Sequence, residues 1–391
     1  MSISFGETWR GITKSLFTSG KDSVLGVDIG SSSIKIVQLR KEKGKAILET
    51  YGELALGPYA ATDIGRATQM GAEDIAGALT ELSKEANVTA TQAGLSIPVR
   101  SSLLKVIRLP TTDRRQISKM APIEARKYVP VPIGEVTLDW WVIPEREKEF
   151  SPTESGAVVA SSTPLQRDRE GVEVLLVAIH NDTLRTYQDV ISKVGLTSRA
   201  FEIETFSAIR STFGHDMLPT LILDIGAAST KVAIVEHGLV RSSHIIGKGS
   251  QDITMALSKT RQIDFGHAET EKRTSGASDL TPTEENKVTL DSLRNVAEPI
   301  LDYIFFETKT VIRNYERDYR QSVAKVILIG GGSLLAGLIK TAEAKFEVEV
   351  LLGDPFHKTE APAFLSPLLT EAGPSFAIAV GLALRELQDK E

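Results

Sequence analysis

The sequence contains no cysteine, which excludes disulfide bonds and metal sites built from thiolates. Its 6 histidines show no metal-ligand spacing, so a bound metal ion would have to be held by oxygen atoms. No stripe of Lys or Arg stands out, and the formal net charge is -6. These features argue against a dedicated nucleic-acid binder, and we expect no nucleic-acid partner.

Long apolar runs are missing as well. No run approaches the roughly 20 residues of a transmembrane helix, and no secretory signal follows the start, so we expect a cytoplasmic protein. Segment 1–21 has apolar residues at helical spacing, namely Phe5, Trp9, Ile12 and Leu16. Two interpretations fit this segment: a weak membrane-surface helix, or a short helix that packs on the body or frays.

What the sequence does contain is one short motif that occurs twice. The stretch VDIGSSSIK at 27–35 returns as LDIGAASTK at 223–231, and five of the eight residues from the aspartate onward are identical. Apolar segments flank both copies. Each copy therefore predicts a β-hairpin with a tight turn, and the repetition predicts two similar halves.

The chemistry of this motif points to a phosphate-containing ligand. An aspartate at the end of a buried strand is costly unless a donor or cation meets it. The glycine two residues later lets the backbone approach a ligand, and the following serines and amides can line an anion site. A single turn of this kind has ordinary steric explanations. Two copies followed by LIGGGSLLAGL, which predicts a strand, a glycine turn and a helix N-terminus, indicate a nucleotide site.

These motifs resemble those of the actin-like ATPases, the superfamily of actin, heat-shock chaperones, sugar kinases and the division protein FtsA. The first phosphate motif of that superfamily corresponds to 28–35, the second to 224–231 and the adenosine motif to 329–338. The resemblance implies ATP and Mg²⁺ as cofactors, with Asp28 and Asp224 as the metal-binding residues.

The same resemblance implies a set of binding residues from the three motifs and their surroundings. They are Asp28, Gly30, Ser31, Ser32, Ser33, Lys35, Asp224, Gly226, Ala227, Ser229, Thr230, Lys231, Gly247, Glu269, Lys272, Gly331, Gly332 and Ser333. Glu204, in IETFSAIRS, is the catalytic candidate that would position water. For Glu204, Glu269 and Lys272 a purely structural charge is the alternative. The stretch IIGKGSQDIT lacks the usual paired glycines, so we expect at most a slow ATPase.

The middle of the chain indicates which family of the superfamily the sequence resembles. The stretches EARKYVPVPIGEVTLDWWVI and EVLLVAIHNDTLRTYQDVISKVGL resemble the PilM family of type IV pilus assembly proteins. The implied fold is the α/β actin-like ATPase fold, with two duplicated halves and an inserted 1C-type α+β subdomain. The expected domains are an amphipathic segment at 1–21, a first half (1A) at 22–110, the 1C insert at 111–196, and a second half with a return to 1A at 197–391.

This resemblance implies a cytoplasmic ATP-binding scaffold at the inner face of the cytoplasmic membrane. Such a protein takes the N-terminal tail of a PilN-like membrane protein into a groove between 1A and 1C, here around 94–109 and 115–128. At most one of Trp140 and Trp141 would anchor the tail, because neighbouring strand residues point to opposite faces. Other pilus platform proteins and self-association are further expected contacts.

Two other functions remain open at this stage. The first is an FtsA-like division protein that polymerises at the membrane, although the chain ends at RELQDKE without the amphipathic tail usual in FtsA. The second is a small-molecule kinase, which would need a carboxylate base beside the acceptor hydroxyl. No signature marks such a base, and Asp139 and Asp182 are its weak candidates. The polar stretch 144–171 is expected to be a long exposed loop of unassigned role.

Overall fold

The computed structural model describes residues 23–144, 171–198, 201–214, 218–276 and 287–388. The amphipathic segment at 1–21 and nearly all of the loop expected at 144–171 lie outside the described residues. The chain folds into two compact units. The smaller unit is Leu103–Asn181, and the described residues before and after it form the larger unit.

Strands and helices alternate through the described residues in an α/β pattern. The strands are β1 (Ser23–Ile29), β2 (Ser33–Glu42), β3 (Lys45–Ala55), β4 (Ala93–Ile97), β5 (Ser102–Leu109), β6 (Val136–Ile143), β7 (Val172–His180), β8 (Phe201–Ile203), β9 (Thr220–Ile225), β10 (Thr230–Glu236), β11 (Leu239–Ile246), β12 (Lys325–Ile329) and β13 (Glu349–Leu352). The helices are α1 (Ala72–Glu85), α2 (Arg114–Ala125), α3 (Asn181–Val194), α4 (Glu204–Thr212), α5 (Ser250–Arg261), α6 (Phe265–Gly276), α7 (Lys287–Tyr319), α8 (Leu338–Phe346) and α9 (Ser366–Gln388).

The larger unit contains two sheets with the same strand order. One sheet runs β3-β2-β1-β4-β8 and the other runs β11-β10-β9-β12-β13. In each sheet the first three strands are antiparallel and the last three are parallel. The two repeated motifs occupy equivalent hairpins, β1–β2 and β9–β10. The predicted actin-like fold with two duplicated halves is confirmed.

The central strand of each sheet is mainly apolar and carries the motif aspartate next to its last residue. Every residue of β1 and of β9 is buried, which is typical of strands covered on both faces. Helices α5 and α7 pack against the second sheet, where Phe305 and Tyr315 join the core formed by β9 and β10. Asp28 and Asp224 are buried as well, and each stands next to last in its strand.

The C-terminal helix α9 is the main core helix of the first sheet. A Cβ at Gly26 of β1 would overlap the backbone of Ala379, and one at Gly381 would overlap the backbone of Ser207 in α4, so close packing requires both glycines. Among the described helices, Ala363–Gln388 is long and apolar enough to cross a membrane. Its most apolar stretch is 61% buried, and a core helix passes the same test, so this is weak evidence for a membrane span.

The smaller unit is a three-stranded sheet of order β5-β7-β6 with α2 packed against it. Trp140 packs against the buried cluster of this unit. The unit differs from the insert predicted at 111–196, because β5 belongs to its sheet and α3 belongs to the larger unit. The α+β character of the insert is confirmed, and the division into 1A and 1C segments stays a prediction.

Candidate functional site

Both repeated hairpins line one cavity of about 380 Å³ in the larger unit. This volume lies within the roughly 300–1,000 Å³ usual for small-molecule sites. The cavity is lined by most of the residues that the sequence singled out: Asp28, Gly30, Ser31, Ser32, Ser33, Lys35, Glu204, Asp224, Gly226, Ala227, Lys231, Glu269, Lys272, Gly331 and Gly332.

The two hairpin turns have the same backbone geometry. The amide of Gly30 donates to the Ser33 carbonyl oxygen at 3.0 Å, and the amide of Gly226 donates to the Ser229 carbonyl oxygen at 3.0 Å. Within the described ranges, no backbone carbonyl accepts a hydrogen bond from the amide of Ser31. Ser31 lines the cavity, and an amide without a backbone acceptor can donate to a bound anion.

The glycine turn after β12 lies directly against the end of β9. Gly330 has a φ of 82°, and a Cβ there would overlap the carboxylate of Asp224. A Cβ at Gly332 would overlap the side chain of Ile225. The sequence predicted a helix N-terminus immediately after the glycines, and this was wrong: the last two glycines belong to a short 3₁₀ turn, Gly331–Leu334, and α8 begins only at Leu338. The positive end of a helix dipole therefore does not stand at the glycines.

Asp28 is the buried carboxylate at the end of the first central strand. Its Oδ1 accepts a hydrogen bond from the Ser96 hydroxyl on β4 at 2.9 Å. Burial raises the pKa of Asp28, against the opposing effect of the nearby Lys35 charge. The partner that a strand-end aspartate requires is thus supplied by the neighbouring parallel strand.

Glu204 and Asp224 share the ammonium group of Lys231. The Lys231 Nζ lies 3.0 Å from Asp224 Oδ2 and 3.4 Å from Glu204 Oε2. Glu204 Oε1 accepts a hydrogen bond from the Val99 amide at 2.9 Å. Burial raises the pKa of Glu204 despite this lysine. Burial opposes the charge of Lys231, but the Asp224 and Glu204 carboxylates outweigh it and raise the pKa of Lys231.

Lys35, the matching lysine of the first hairpin, has a different partner. Its Nζ donates to Ser33 Oγ at 2.7 Å and lies 3.1 Å from Glu53 Oε1. Glu53 stands directly opposite Lys35 on β3. The sequence analysis missed Glu53, and the signal that would have found it is the cross-strand register of the meander.

The acidic and basic residues of α6 form a second charged group at the cavity. Glu269 Oε2 lies 2.7 Å from Lys272 Nζ and accepts from the Thr254 hydroxyl at 2.6 Å, and Glu269 Oε1 accepts from Arg273 Nε at 2.7 Å. Burial opposes ionisation of Glu269, but these partners, with Lys272 foremost, lower its pKa. Burial lowers the pKa of Lys272. The ion pairs fix the side chains of Glu269, Lys272 and Arg273, so a ligand would contact side chains that are already positioned.

Four of the predicted residues do not line this cavity. The buried hydroxyl of Thr230 donates to the Lys248 carbonyl oxygen at 2.8 Å, and that of Ser333 donates to the Gly330 carbonyl oxygen at 2.7 Å. Ser229 lines a smaller neighbouring cavity of about 220 Å³, and Gly247 lines neither. The structure thus commits both hydroxyls to the protein backbone.

The cavity also includes residues that the sequence analysis did not name individually, four of them within the adenosine motif at 329–338. They are Glu53, Gly65, Ser250, Ile253, Arg273, Ile329, Gly330, Leu334, Leu335, Glu371, Pro374, Ser375, Ala377 and Ile378. Arg273 and Gly330 are direct neighbours of predicted residues. The α9 residues reach the cavity only through tertiary packing, so no local motif marks them.

The residues present do not fit a metal ion held by the protein. Across the described ranges, no group of three or more His, Cys, Asp or Glu side chains is arranged to hold one. Of the two predicted metal ligands, Asp28 accepts from Ser96 and Asp224 is paired with Lys231. In nucleotide sites Mg²⁺ is usually held by one or two carboxylates, waters and substrate phosphates, and not by protein ligands alone. The role of Asp28 and Asp224 as metal ligands therefore stays a prediction.

Comparison with known proteins agrees with this architecture. A solved PilM-PilN type IV pilus biogenesis complex is 22% identical, covers 93% of this chain and 98% of its own, and has a TM-score of 0.73. MreB 5 of Spiroplasma citri bound to AMPPNP is 12% identical over 94% of this chain and 97% of its own, with a TM-score of 0.52. At these identities the likeness shows the fold.

Sequence relatives point to the same superfamily. The cell division protein FtsA of Neisseria meningitidis serogroup B is 23% identical over 230 residues, which is 55% of this chain and 54% of that protein. The chain thus spans about half the length of the curated relatives it matches. The model of the family described as type IV pilus assembly protein PilM matches residues 26–387, nearly the whole chain. The chain therefore belongs to the type IV pilus assembly protein PilM family.

Proposed function

We propose that this chain is an ATP-binding scaffold of a type IV pilus assembly platform, and that a PilN-like membrane protein is its partner. The observation that carries the proposal is the meeting of two equivalent hairpins, one from each half, at a single cavity in a PilM-family chain. We place it in the cytoplasm, peripheral to the inner face of the membrane.

The cavity fits a nucleotide with several phosphates. Ser31, Ser32 and Ala227 would offer backbone amides to phosphate oxygens, and Lys35 adds a positive charge on one wall. A Cβ at Gly331 would meet no atom within 4 Å, so the glycine turn leaves room for a nucleoside. Structures of S. citri MreB 5 with AMPPNP and with ADP support a nucleotide in this fold.

Nucleotide binding would bias the relative position of the two halves. The β1–β2 and β9–β10 hairpins belong to different sheets, so a phosphate chain held by both favours the arrangement in which both contact it. Bound ATP supplies the charge and the bridging length, and the amides of this chain hold it. Glu204 contacts the Val99 amide and the Lys231 ammonium, and we propose that it orients water and supports at most slow hydrolysis.

The partner assignment rests on the PilM family. The solved relative is a PilM-PilN complex, and this supports a PilN-like partner for this chain. We further propose that the N-terminal tail of that partner is the bound segment, with other platform proteins and a second copy of the chain as additional contacts.

The two alternatives have less support. FtsA proteins match about half of this chain, whereas the PilM family model covers 26–387. The two carboxylates considered as the base of a kinase, Asp139 and Asp182, do not line the cavity. We therefore retain the pilus scaffold as the proposed function.

Filling the cavity from the glycine turn tests the nucleotide part of the proposal. The Gly331→Val variant places a side chain in open cavity space, so we expect the Kd for a fluorescent ATP analogue to rise at least tenfold. The matched control is Gly77→Val on α1, where a Cβ also meets no atom within 4 Å but lies outside the cavity. Analogue binding that is equal in both variants would contradict the proposed site.

The partner is tested with the same proteins. A labelled peptide with the sequence of the N-terminal tail of the PilN-like protein should bind wild type and Gly77→Val alike. No binding to the folded wild type, with or without ATP, would contradict the partner assignment.

A further inference from the structure

We propose that Lys231 is the resident cation of an acidic cluster formed by Asp28, Glu204 and Asp224, and that its ammonium keeps divalent metal ions off these carboxylates. The inference deepens the proposed function. Its statements about nucleotide binding rest on that function, whereas its statements about metal ions concern the protein without nucleotide.

The position of Lys231 follows from the register of the second hairpin. Lys231 stands directly opposite Asp224, and its Nζ reaches Asp224 Oδ2 at 3.0 Å and Glu204 Oε2 at 3.4 Å. The side chain is only 22% exposed. One ammonium therefore bridges two carboxylates that come from β9 and α4.

The other oxygens of the cluster are partly engaged by the protein as well. Asp28 Oδ1 accepts from the Ser96 hydroxyl, and Glu204 Oε1 accepts from the Val99 amide. A Mg²⁺ ion requires close, nearly octahedral oxygen contacts. An ion held directly by Asp224 Oδ2 or Glu204 Oε2 would have to displace the ammonium, and like charge repels it from Lys231.

The two copies of the motif treat their lysines differently, and the third strand of each sheet explains why. In the first sheet the residue opposite Lys35 on the outer strand is Glu53, and the Lys35 Nζ lies 3.1 Å from Glu53 Oε1. In the second sheet the residue opposite Lys231 on β11 is Ile245. Lys231 has no carboxylate at that outer position, so it turns toward Asp224 and Glu204.

This difference gives the cluster a built-in counter-ion in the second half. A nucleotide that enters the cavity would meet a fixed ammonium beside the second hairpin. Its binding should therefore depend weakly on divalent cations, since Lys231 already occupies the pair formed by Asp224 and Glu204.

The test uses Mn²⁺ alone as the probe. Electron paramagnetic resonance measures its binding to the full chain without nucleotide. Wild type should bind no Mn²⁺ at the cluster. Lys231→Met should gain one Mn²⁺ site, and Asp224→Asn added to Lys231→Met should remove it. Lys35→Met, the same change in the other copy of the motif, should gain none. Folding of each variant is checked by thermal unfolding.

A second variant keeps Lys231 and changes the residue opposite it. Ile245→Glu supplies the outer carboxylate that the first sheet has, so it should draw Lys231 away from the cluster and also allow Mn²⁺ binding. This variant decides the matter if Lys231→Met does not fold.

Two results would overturn the inference. One is Mn²⁺ binding by wild type that Asp224→Asn abolishes; the other is a folded Lys231→Met or Ile245→Glu that still binds no Mn²⁺. If ATP binds, wild type should show less than a threefold difference in Kd between excess EDTA and Mg²⁺, and Lys231→Met at least tenfold. Failure of the folded wild type to bind ATP at all would contradict the proposed function and leave the Mn²⁺ result standing.

Discussion

At the scale of single residues, the buried charges of this chain are paired in networks. Outside the cavity the clearest example is Glu202 on β8, which is 3% exposed. Its carboxylate accepts from Arg210 at 2.6 and 2.7 Å and from the Ser207 hydroxyl at 2.6 Å, and Arg385 of α9 lies 3.2 Å away. Burial opposes its ionisation, but the two arginines, with Arg210 foremost, lower the pKa of Glu202.

This network predicts a pH-dependent loss of stability in Glu202→Gln. At pH 7 the change leaves two arginines without their carboxylate and should reduce the free energy of unfolding by roughly 3–5 kcal/mol. Because the folded-state pKa lies below the ordinary value of 4.5, the ionised carboxylate stabilises the fold above that pH, and this stabilisation is lost as the pH falls further. Urea denaturation at pH 7 and at a pH well below the folded-state pKa measures both effects.

The control for this prediction is Glu73→Gln. The Glu73 side chain is 81% exposed and pairs with Lys193 at the surface, so its loss should change stability by less than about 1 kcal/mol. An equal loss for Glu202→Gln at both pH values would show that charge plays no part.

At the scale of elements, the two hairpins were the most predictable features. Local residues alone specify β1–β2 and β9–β10, because each apolar run ends in a compact Asp-x-Gly turn. The wall formed by α9 could not be predicted, since Glu371 and Ser375 reach the cavity through contacts distant in sequence. The late start of α8 was missed for a related reason: the glycine turn is shaped by its packing against Ile225.

The packing of α9 predicts the effect of a single methyl group. Gly381→Ala would place its Cβ on the carbonyl of Ser207, and the backbone of α4 cannot move without disturbing Glu202. We expect a loss of about 1–3 kcal/mol in the free energy of unfolding.

Gly77→Ala on α1 is the matched control, measured by the same chemical denaturation. Its Cβ meets no atom within 4 Å, and alanine favours the helix, so stability should rise by roughly 0.5–1 kcal/mol. Equal effects of the two alanines would contradict the close approach of α9 and α4.

At the scale of the whole molecule, duplication is the feature that links fold to function. Two sheets of the same order each present a hairpin with an aspartate, a glycine and a lysine, and the cavity receives both. The sequence predicted this convergence, because a repeated motif implies equivalent positions in two halves. It did not predict that the two lysines differ, since their partners depend on Glu53 and Ile245 in the neighbouring strands.

The most direct measurement of the central claim is calorimetric titration of the full chain with ATP. We predict one site per chain with a dissociation constant in the micromolar range, which corresponds to about 8 kcal/mol of binding free energy at 1 μM. A folded chain that releases no heat with ATP and shows no thermal stabilisation would contradict the claim. The repeated hairpins would then be an architectural feature of a scaffold that works without nucleotide.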